Sequence, residues 1–241
     1  MLSLLVLPVA LSFAQGGPCR PYPNVEYDGR FQLIRLRYIE YRGEGWCYDY
    51  PWMEEHLMTM FDELTTVKVA RKGSNIMTMD DPELFKWPVA YLSEPGFWYP
   101  DEKEAAGLRA WIKKGGFLIV DDFYEASRTN EWGVFNRAMH QVLPDAQIVP
   151  LTVDKAIFDT FYRIRSLDMT YPSPCCHDWL KAQFLGIYED NDPKKRLMVV
   201  INYNNDLGDY MEWSGQGLWP VNTSNDAYKF AMNYIIFGLS N

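Results

Sequence analysis

Two apolar runs in this chain are uniform enough to be strands buried on both faces of a sheet. One covers residues 117–120, follows Gly115 and Gly116, and ends at Asp121. The other covers residues 197–201 and leads into a stretch rich in asparagine and aspartate. Strands without a polar face are typical of parallel sheets that carry helices on both sides. We therefore expect the chain to fold around a parallel sheet whose strands end in polar residues.

Helices and strands alternate along the rest of the chain. Further strands are predicted over residues 31–38, 67–69, 88–93 and 147–149. Helices are predicted over residues 53–64, 100–114, 131–142 and 226–239. This alternation implies right-handed crossovers and an α/β three-layer sandwich with a mostly parallel central sheet. Residues 31–241 are expected to form a single domain.

The beginning of the chain is typical of a secreted protein. Residues 1–14 are uncharged and apolar, and they end in small residues that suit a signal-peptide cleavage site. The run is too short to span a bilayer. We interpret residues 1–14 as a signal peptide and residues 15–30 as an N-terminal arm, and we expect an exported protein, periplasmic or secreted. The usual positive start is missing, which leaves an upstream start or an uncleaved anchor as alternatives.

Four cysteines in an exported chain indicate disulfides. Cys19 and Cys47 could pair and tie the arm to the body. The adjacent Cys175 and Cys176 cannot easily bridge each other. Together with His177 they contain metal-ligand types, but no second cluster with ligand spacing completes a zinc site. Free or disulfide-bonded thiols are therefore favoured over a structural zinc site.

Composition excludes one class of partner and leaves another open. The formal net charge is −9, and basic residues are scattered, which argues against a nucleic-acid partner. The chain also carries 9 Trp, 16 Tyr and 13 Phe, of which most are expected in the core and some at a ligand surface. Tryptophans in or near predicted loops could form a stacking platform, namely Trp46, Trp98, Trp132, Trp213 and Trp219.

Four sequence blocks together carry a resemblance to a known family. They are residues 88–96, 108–123, 157–162 and 204–213, and the resemblance extends over about residues 31–239. The chain resembles the bacterial family called domain of unknown function 4159. The resemblance implies a flavodoxin-like fold similar to class I glutamine amidotransferases, and it implies no established activity.

The chain departs from amidotransferases at their nucleophile. Those enzymes carry a cysteine on a sharp turn just after the strand that follows a glycine-rich helix end. The corresponding place here holds Asp121, Asp122 and Phe123, and a carboxylate there cannot form a thioester. No Gly-x-Ser-x-Gly or Gly-x-Cys-x-Gly motif occurs elsewhere. Cysteine-dependent amide hydrolysis is therefore excluded.

Acidic segments follow three of the predicted strands, at residues 93–96, 121–122 and 204–212. Because parallel strands end at one edge of a sheet, we expect these side chains to converge in an acidic strand-end cleft. Their oxygens could bind a hard divalent cation such as calcium or magnesium. Alternatively, two carboxylates could act as acid and base on a glycoside or an ester.

The residues expected at this site are acidic, amide or aromatic side chains. The candidate catalytic residues are Asp122, Asp206 and Glu212. The candidate ligand-binding residues are Glu94, Asp121, Asn204, Asn205, Asp209 and Trp213. If a metal is bound, its expected ligands are Asp122, Asp206, Asp209 and Glu212.

Purely structural roles are the alternative for the same residues. Asp121 could cap the segment that follows it. Asp206 could close an Asx-turn that frees Gly208 for a positive φ angle. Glu212 could form an ion pair with one of the arginines; the candidates are Arg35 and Arg37, expected on the polar face of strand 31–38, and Arg109.

Three functions fit these patterns. The leading hypothesis is an exported protein that lacks the cysteine nucleophile and binds a small polar ligand, a saccharide or a cell-wall fragment. The second is a hydrolase that uses Asp122 with Asp206 or Glu212, directly or through a divalent metal. The third is an envelope assembly or scaffold protein whose cleft is vestigial, which an exposed apolar patch without a pocket would favour.

Overall fold

The fold is known from a computed structural model, which describes residues 19, 21–40, 45–125, 130–169 and 180–240. The strands are β1 (Phe31–Arg37), β2 (Val69–Thr78), β3 (Val89–Ser93), β4 (Phe117–Asp121), β5 (Ile148–Pro150), β6 (Gln183–Tyr188) and β7 (Leu197–Tyr203). The α-helices are α1 (Trp52–Leu64), α2 (Glu102–Lys113), α3 (Glu131–Val142), α4 (Leu207–Glu212) and α5 (Val221–Ser240).

The seven strands form one sheet in the order β2-β1-β3-β4-β7-β6-β5. The pairs β2-β1, β1-β3, β3-β4 and β4-β7 are all parallel. β6 pairs with β7 and with β5 in the antiparallel sense. The predicted α/β fold with a mostly parallel sheet is confirmed. The strand order reverses between β1 and β3, and such a switch point is where doubly wound sheets bind ligands.

Helices cover both faces of the sheet and enclose two apolar cores. α1, α4 and α5 pack on one face, while α2 and α3 pack on the other. The apolar run of β4 supplies both cores: Phe117 and Ile119 face the first, and Leu118 and Val120 face the second. Burial on both faces explains why this strand has no polar positions before its end.

Four elements differ from the sequence-based prediction. β2 is longer than residues 67–69, because polar residues such as Arg71 are tolerated in a strand at the edge of a sheet. β6 was not predicted; Gly186 interrupts its apolar run, and a Cβ there would press against Leu197. α4 was not predicted, and α5 begins at Val221, five residues earlier than predicted.

The N-terminal arm covers the edge strand β2. Asn24 and Ile76 exchange two hydrogen bonds, and so do Val25 and Asn75. These contacts occupy polar groups that an edge strand otherwise exposes.

The predicted pairing of Cys19 with Cys47 is confirmed, and their Cα atoms are 6.1 Å apart. The proposed signal peptide and the Cys175, Cys176 and His177 cluster lie outside the described residues. Among the residues that are described, no helix has the length and apolar character needed to cross a membrane.

Candidate functional site

Polar side chains from three neighbouring strands meet at one edge of the sheet. Glu94 follows β3, Asp122 follows β4 and Asn204 follows β7. These strands are adjacent and parallel, so the expected convergence of strand ends is present. Asp206 continues from Asn204 into α4, whose residues Asp209 and Glu212 reach the same edge.

Carboxylates at this edge form two overlapping groups of three. Oxygen atoms of Asp49, Asp122 and Asp206 lie within 4.8 Å of one another. Oxygen atoms of Asp49, Asp209 and Glu212 do the same. We refer to these five residues as the acidic cluster. Asp49 is the member that belongs to both groups.

Sequence reasoning missed Asp49. It lies in the connection between β1 and α1, just after a short 3₁₀ turn at Gly45–Cys47. The strand-end argument was applied to three later segments but not to the connection that follows β1. Because β1 is parallel to β3 and adjacent to it, that argument also predicts polar residues after β1.

Several residues around the cluster have backbones in the left-handed region. The φ angles are +64° at Asp49, +50° at Glu94, +64° at Asp122 and +56° at Asn204. Aspartate and asparagine adopt this conformation more readily than most residues, but each instance still costs about 1 kcal/mol or more. Strained backbone of this kind concentrates at functional sites, where the surrounding structure enforces it.

The buried Arg35 holds the segment that carries Asp49. Its guanidinium donates to the carbonyls of Trp46, at 3.0 Å, and Tyr48, at 2.8 Å, and forms an ion pair with Glu54 of α1. Arg35 is fully buried, so its expected place on a polar strand face is wrong. β1 is covered on both faces, and Arg35 points to the face on which α1 packs.

The hydrogen bonds that Asp121 accepts show that it has a structural role. Its carboxylate accepts hydrogen bonds from the Tyr91 hydroxyl at 2.6 Å and the Asn202 amide at 2.9 Å. It also accepts from the backbone N–H groups of Leu207 at 2.9 Å and Gly208 at 3.1 Å. Asp121 therefore caps a helix, as the structural alternative proposed, but the helix is α4 rather than the segment that follows Asp121.

Asp206 combines a structural role with membership of the cluster. It is the N-cap of α4: one carboxylate oxygen accepts from the backbone N–H of Asp209 at 2.7 Å. The other accepts from the Tyr124 hydroxyl at 3.2 Å. The expected Asx-turn with a positive φ at Gly208 is wrong, because Gly208 lies inside α4 and is not in the left-handed region.

Gly208 is needed for a different reason, which is close approach. A Cβ atom on residue 208 would overlap one carboxylate oxygen of Asp49, and it would also touch Asp206. The missing side chain therefore lets the Asp49 carboxylate reach the first turn of α4.

Two buried polar side chains at the site lack hydrogen-bond donors or acceptors among the described residues. Asp122 is only 4% exposed, and no described group donates to its carboxylate. Asn205, beside Asp206 in the chain, is fully buried, and neither atom of its side-chain amide has a partner. Buried polar groups are almost always satisfied in folded proteins. The amide of Asn205 and one carboxylate oxygen of Asp49, which is also fully buried without a partner in the described part of the chain, therefore suggest a ligand near the cluster.

Burial and mutual repulsion raise the pKa values of four acidic residues of the cluster, namely Asp49, Asp122, Asp206 and Glu212. Burial raises the pKa of Asp49, Asp122 and Asp206 well above the usual range, and neighbouring carboxylates raise them further. The same two causes raise the pKa of Glu94, with Glu131 its strongest neighbour. Burial and then Asp209 raise the pKa of Glu212 to about 7.

The pKa of Asp121 behaves differently from that of its neighbours. Burial raises it to about 6, while hydrogen bonds from Tyr91, Asn202, Gly208 and Leu207 lower it. Donors thus stabilise the ionised form of Asp121. For Asp49, Asp122 and Asp206, in contrast, burial and the neighbouring carboxylates favour the protonated form.

The three arginines that were considered as ion-pair partners of Glu212 do not pair with it. Arg35 pairs with Glu54, and Arg37 is exposed at the end of β1. Arg109 donates to the carbonyls of Gln141 and Val142 instead. Arg35 still acts on Glu212 through space and lowers its pKa, against the larger effects of burial and Asp209.

Burial excludes two of the five tryptophans that were predicted to form a stacking platform. Trp98 is fully buried and Trp219 nearly so, so neither can serve as a stacking platform. Trp132 is stacked on Phe123, with ring centres 6.3 Å apart. Trp46 and Trp213 are partly buried against the two cores.

The exposed rings on the segment that carries Asp49 are Tyr48 and Trp52, with exposed fractions of 39% and 54%. Neither was singled out from the sequence. The signal that could have found them is their position beside the connection from β1 to α1.

Comparison with known families places this chain in a family. The model of the family described as Domain of unknown function (DUF4159) matches residues 35–239. The chain belongs to this family. The match begins at Arg35 and includes every member of the acidic cluster, so the site of this DUF4159 protein lies within the family region. No curated protein matches the chain.

Proposed function

We propose that this DUF4159 protein binds a hard divalent cation, such as Ca²⁺ or Mg²⁺, in the acidic cluster, and through it a small polar ligand. The observation that carries the proposal is the grouping of Asp49, Asp122 and Asp206, whose carboxylate oxygens lie within 4.8 Å of one another. Two oxygens that bind one Ca²⁺ at about 2.4 Å lie at most about 4.8 Å apart. The three oxygens are therefore close enough to share one cation.

The state of Asp122 supports a cation at this place. A carboxylate buried without a donor must either keep a proton or be compensated by a positive charge. Asp121, one residue earlier, shows how this fold satisfies a structural carboxylate, with four donors. Asp122 has none among the described residues, although the two carboxylates are adjacent in the chain.

The chemistry of the surroundings favours a saccharide or a cell-wall fragment as the ligand. Tyr48 precedes Asp49 in the chain and Trp52 follows it by three residues; both rings are exposed, and flat aromatic faces stack well on sugar rings. A cation held by carboxylates keeps coordination positions for hydroxyl or carbonyl oxygens of a ligand.

Calorimetric titration tests the cation site directly. We expect the wild-type chain to bind Ca²⁺, Mg²⁺ or Mn²⁺, and Asp122→Asn to weaken the affinity at least about tenfold, or about 1.4 kcal/mol. Glu63→Gln, which changes an exposed carboxylate near the far end of α1, is the matched control and should bind as the wild type does. Equal affinity in wild type and Asp122→Asn would contradict the site.

We also propose that the fold is of the class I amidotransferase type, with Asp122 in place of the cysteine. Two features support this. The parallel strands are in the order β2-β1-β3-β4-β7, and the residue after β4, Asp122, has a left-handed backbone with φ of +64°. A nucleophile in such folds sits on a strained turn after a strand. A crystal structure whose backbone superposes poorly on amidotransferases would contradict this assignment.

Export is part of the same proposal. The disulfide between Cys19 and Cys47 supports it, because such bonds persist in oxidising compartments. Fractionation of the expressing cells tests it: the protein should appear in the periplasm or the medium with Cys19 and Cys47 linked. Recovery in the cytoplasm with both thiols reduced would contradict export.

A second candidate function is hydrolysis, favoured by one observation. The pKa of Glu212 is raised to about 7, which suits a group that transfers protons near neutral pH. In this case Glu212 would act as acid or base beside Asp122 or Asp206, on a glycoside or an ester. A panel of such substrates should then be cleaved, with Glu212→Gln removing the limb of the pH–rate profile near 7. An unchanged profile would exclude this role.

A further inference from the structure

We infer that the acidic cluster holds a second divalent cation, bound by Asp49, Asp209 and Glu212, with Asp49 shared between the two cations. This inference rests on the proposed function, which needs only the first cation at Asp49, Asp122 and Asp206. The starting observation is that both groups of three meet the same distance condition, and that Asp49 alone belongs to both.

The two groups come from different parts of the fold. Asp122 and Asp206 follow β4 and β7, at the end of the sheet. Asp209 and Glu212 lie three residues apart on α4, so they project from the same side of that helix. Asp49 reaches both groups from the connection between β1 and α1. A carboxylate has two oxygens, and one that lies between two groups can bridge two cations.

Asp49 is held in this position by the protein itself. Arg35 donates to the carbonyl of Tyr48, and the disulfide at Cys47 anchors the same segment. Gly208 leaves the space that the Asp49 carboxylate enters. One oxygen of that carboxylate is fully buried and has no hydrogen-bond partner. A shared ligand fixed before binding suits a pair of cations, because both positions then depend on one rigid group.

Two buried side chains, one in the cluster and one next to Asp206 in the chain, support a bound group at this place. Asp122 is almost completely buried, points into the cluster and has no donor among the described residues. Asn205 is fully buried, and both atoms of its amide lack partners. Neither side chain is satisfied by the part of the fold that is described. A cation would give the Asp122 carboxylate a partner, since one of its oxygens lies within 4.8 Å of an oxygen of Asp49.

The alternative to a second cation is a proton. Asp49 and Glu212 lie close enough for a hydrogen bond between their carboxyl groups, which lowers the pKa of Glu212. One shared proton would hold this pair together while a single cation occupies the other group. The two arrangements differ in the number of cations bound per chain.

Mn²⁺ distinguishes them, because it can be counted and its electron paramagnetic resonance spectrum reports on neighbouring Mn²⁺ ions. We expect the full wild-type chain to bind two Mn²⁺ ions near neutral pH and to give the spectrum of a magnetically coupled pair. One Mn²⁺ per chain, or two that are uncoupled, would overturn the inference while leaving the proposed function intact. No bound Mn²⁺ would overturn both.

Variants of α4 locate the second cation. Asp209→Asn and Glu212→Gln should each reduce the count to one Mn²⁺ per chain and remove the coupling, at an unchanged melting temperature of the EDTA-treated protein to within a few degrees. Two variants are used so that one remains informative if the other fails to fold. Asp62→Asn and Glu63→Gln, both exposed on α1, are matched controls and should keep two coupled ions. Retention of a coupled pair in both Asp209→Asn and Glu212→Gln would overturn the assignment.

Discussion

The carboxylate of Asp49 occupies the space beside Gly208 that any other residue there would fill with a Cβ atom. This contact joins the connection after β1 to the first turn of α4. The two segments are far apart in the chain, and the acidic cluster exists only because they meet.

Gly208→Ala should therefore disturb cation binding more than it disturbs the fold. The added methyl group would displace the Asp49 carboxylate, and we expect the cation affinity measured by calorimetry to fall at least about tenfold. Gly115→Ala is the control. Gly115 has a φ of +117° and open space around it, so alanine there costs roughly 1 kcal/mol through backbone strain without touching the site. If both variants bind cation like the wild type, the contact between Gly208 and Asp49 does not contribute to cation binding.

Asp121 and Asp122 are adjacent in the chain, but their substitution by asparagine is expected to affect stability in opposite ways. Asp121→Asn would present an amide N–H₂ or a weaker acceptor to four donors, and we expect unfolding in urea to become easier by about 3 kcal/mol or more. Asp122→Asn removes a buried carboxyl group to which no described residue donates, so the cation-free protein should be as stable as wild type or more stable. Equal destabilisation by the two substitutions would assign Asp122 to the fold rather than to a site.

The stability of the cation-free protein should fall as pH rises. The pKa values are raised in the folded chain, to about 6 for Asp121 and about 7 for Glu212, and well above the usual range for Asp49, Asp122 and Asp206. In the unfolded chain such groups titrate near about 4. The folded state then binds more protons, so stability is complete below about pH 4 and is lost as pH increases through 6 and 7.

Urea unfolding in EDTA between pH 4 and 8 measures this dependence. The midpoint should decrease over the range in the wild type, decrease less in Asp122→Asn, and recover when a binding cation is added. A wild-type midpoint that rises steadily to pH 8 in EDTA would show that the cluster carboxylates are ionised and satisfied without a cation.

The disulfide should influence the site, because Cys47 is two residues from Asp49. Closing a loop with a sequence separation of 28 stabilises a protein by roughly 3–4 kcal/mol in the chain-entropy treatment. Cys19→Ser/Cys47→Ser should lose stability of that order in urea unfolding. It should also bind cation more weakly, since hydrogen bonds such as those from Arg35 then hold the segment without a covalent link. Unchanged affinity in a folded double variant would show that the disulfide does not position Asp49.

The sequence predicted the parts of this fold that depend on local pattern. The apolar runs of β4 and β7 are buried on both faces, and the polar residues that follow them meet at one edge, as parallel strands require. The rule that parallel strands end at one edge of a sheet was sufficient to predict that Glu94, Asp122 and Asn204 lie at the same edge.

The parts that it could not predict depend on contacts between distant residues. Nothing in the local pattern separates Asp121 from Asp122; the difference comes from Tyr91 and from the start of α4, which are 30 and more residues away. The place of Asp49 depends on Arg35 and Gly208 in the same way. Arg35 was expected to face solvent because its charge suggests a polar position, whereas an ion pair with Glu54 keeps it buried.

Thermal unfolding with and without cations tests the central claim most directly. The full chain would be melted in EDTA, and then after addition of Ca²⁺, Mg²⁺, Mn²⁺ or Zn²⁺, beside Asp122→Asn. A cation that binds the folded state at about 100 times its dissociation constant stabilises it by about 2.7 kcal/mol. We expect at least one hard cation to raise the melting temperature of the wild type by several degrees and that of Asp122→Asn much less. Identical melting curves in EDTA and in every cation would contradict a cation site in the acidic cluster.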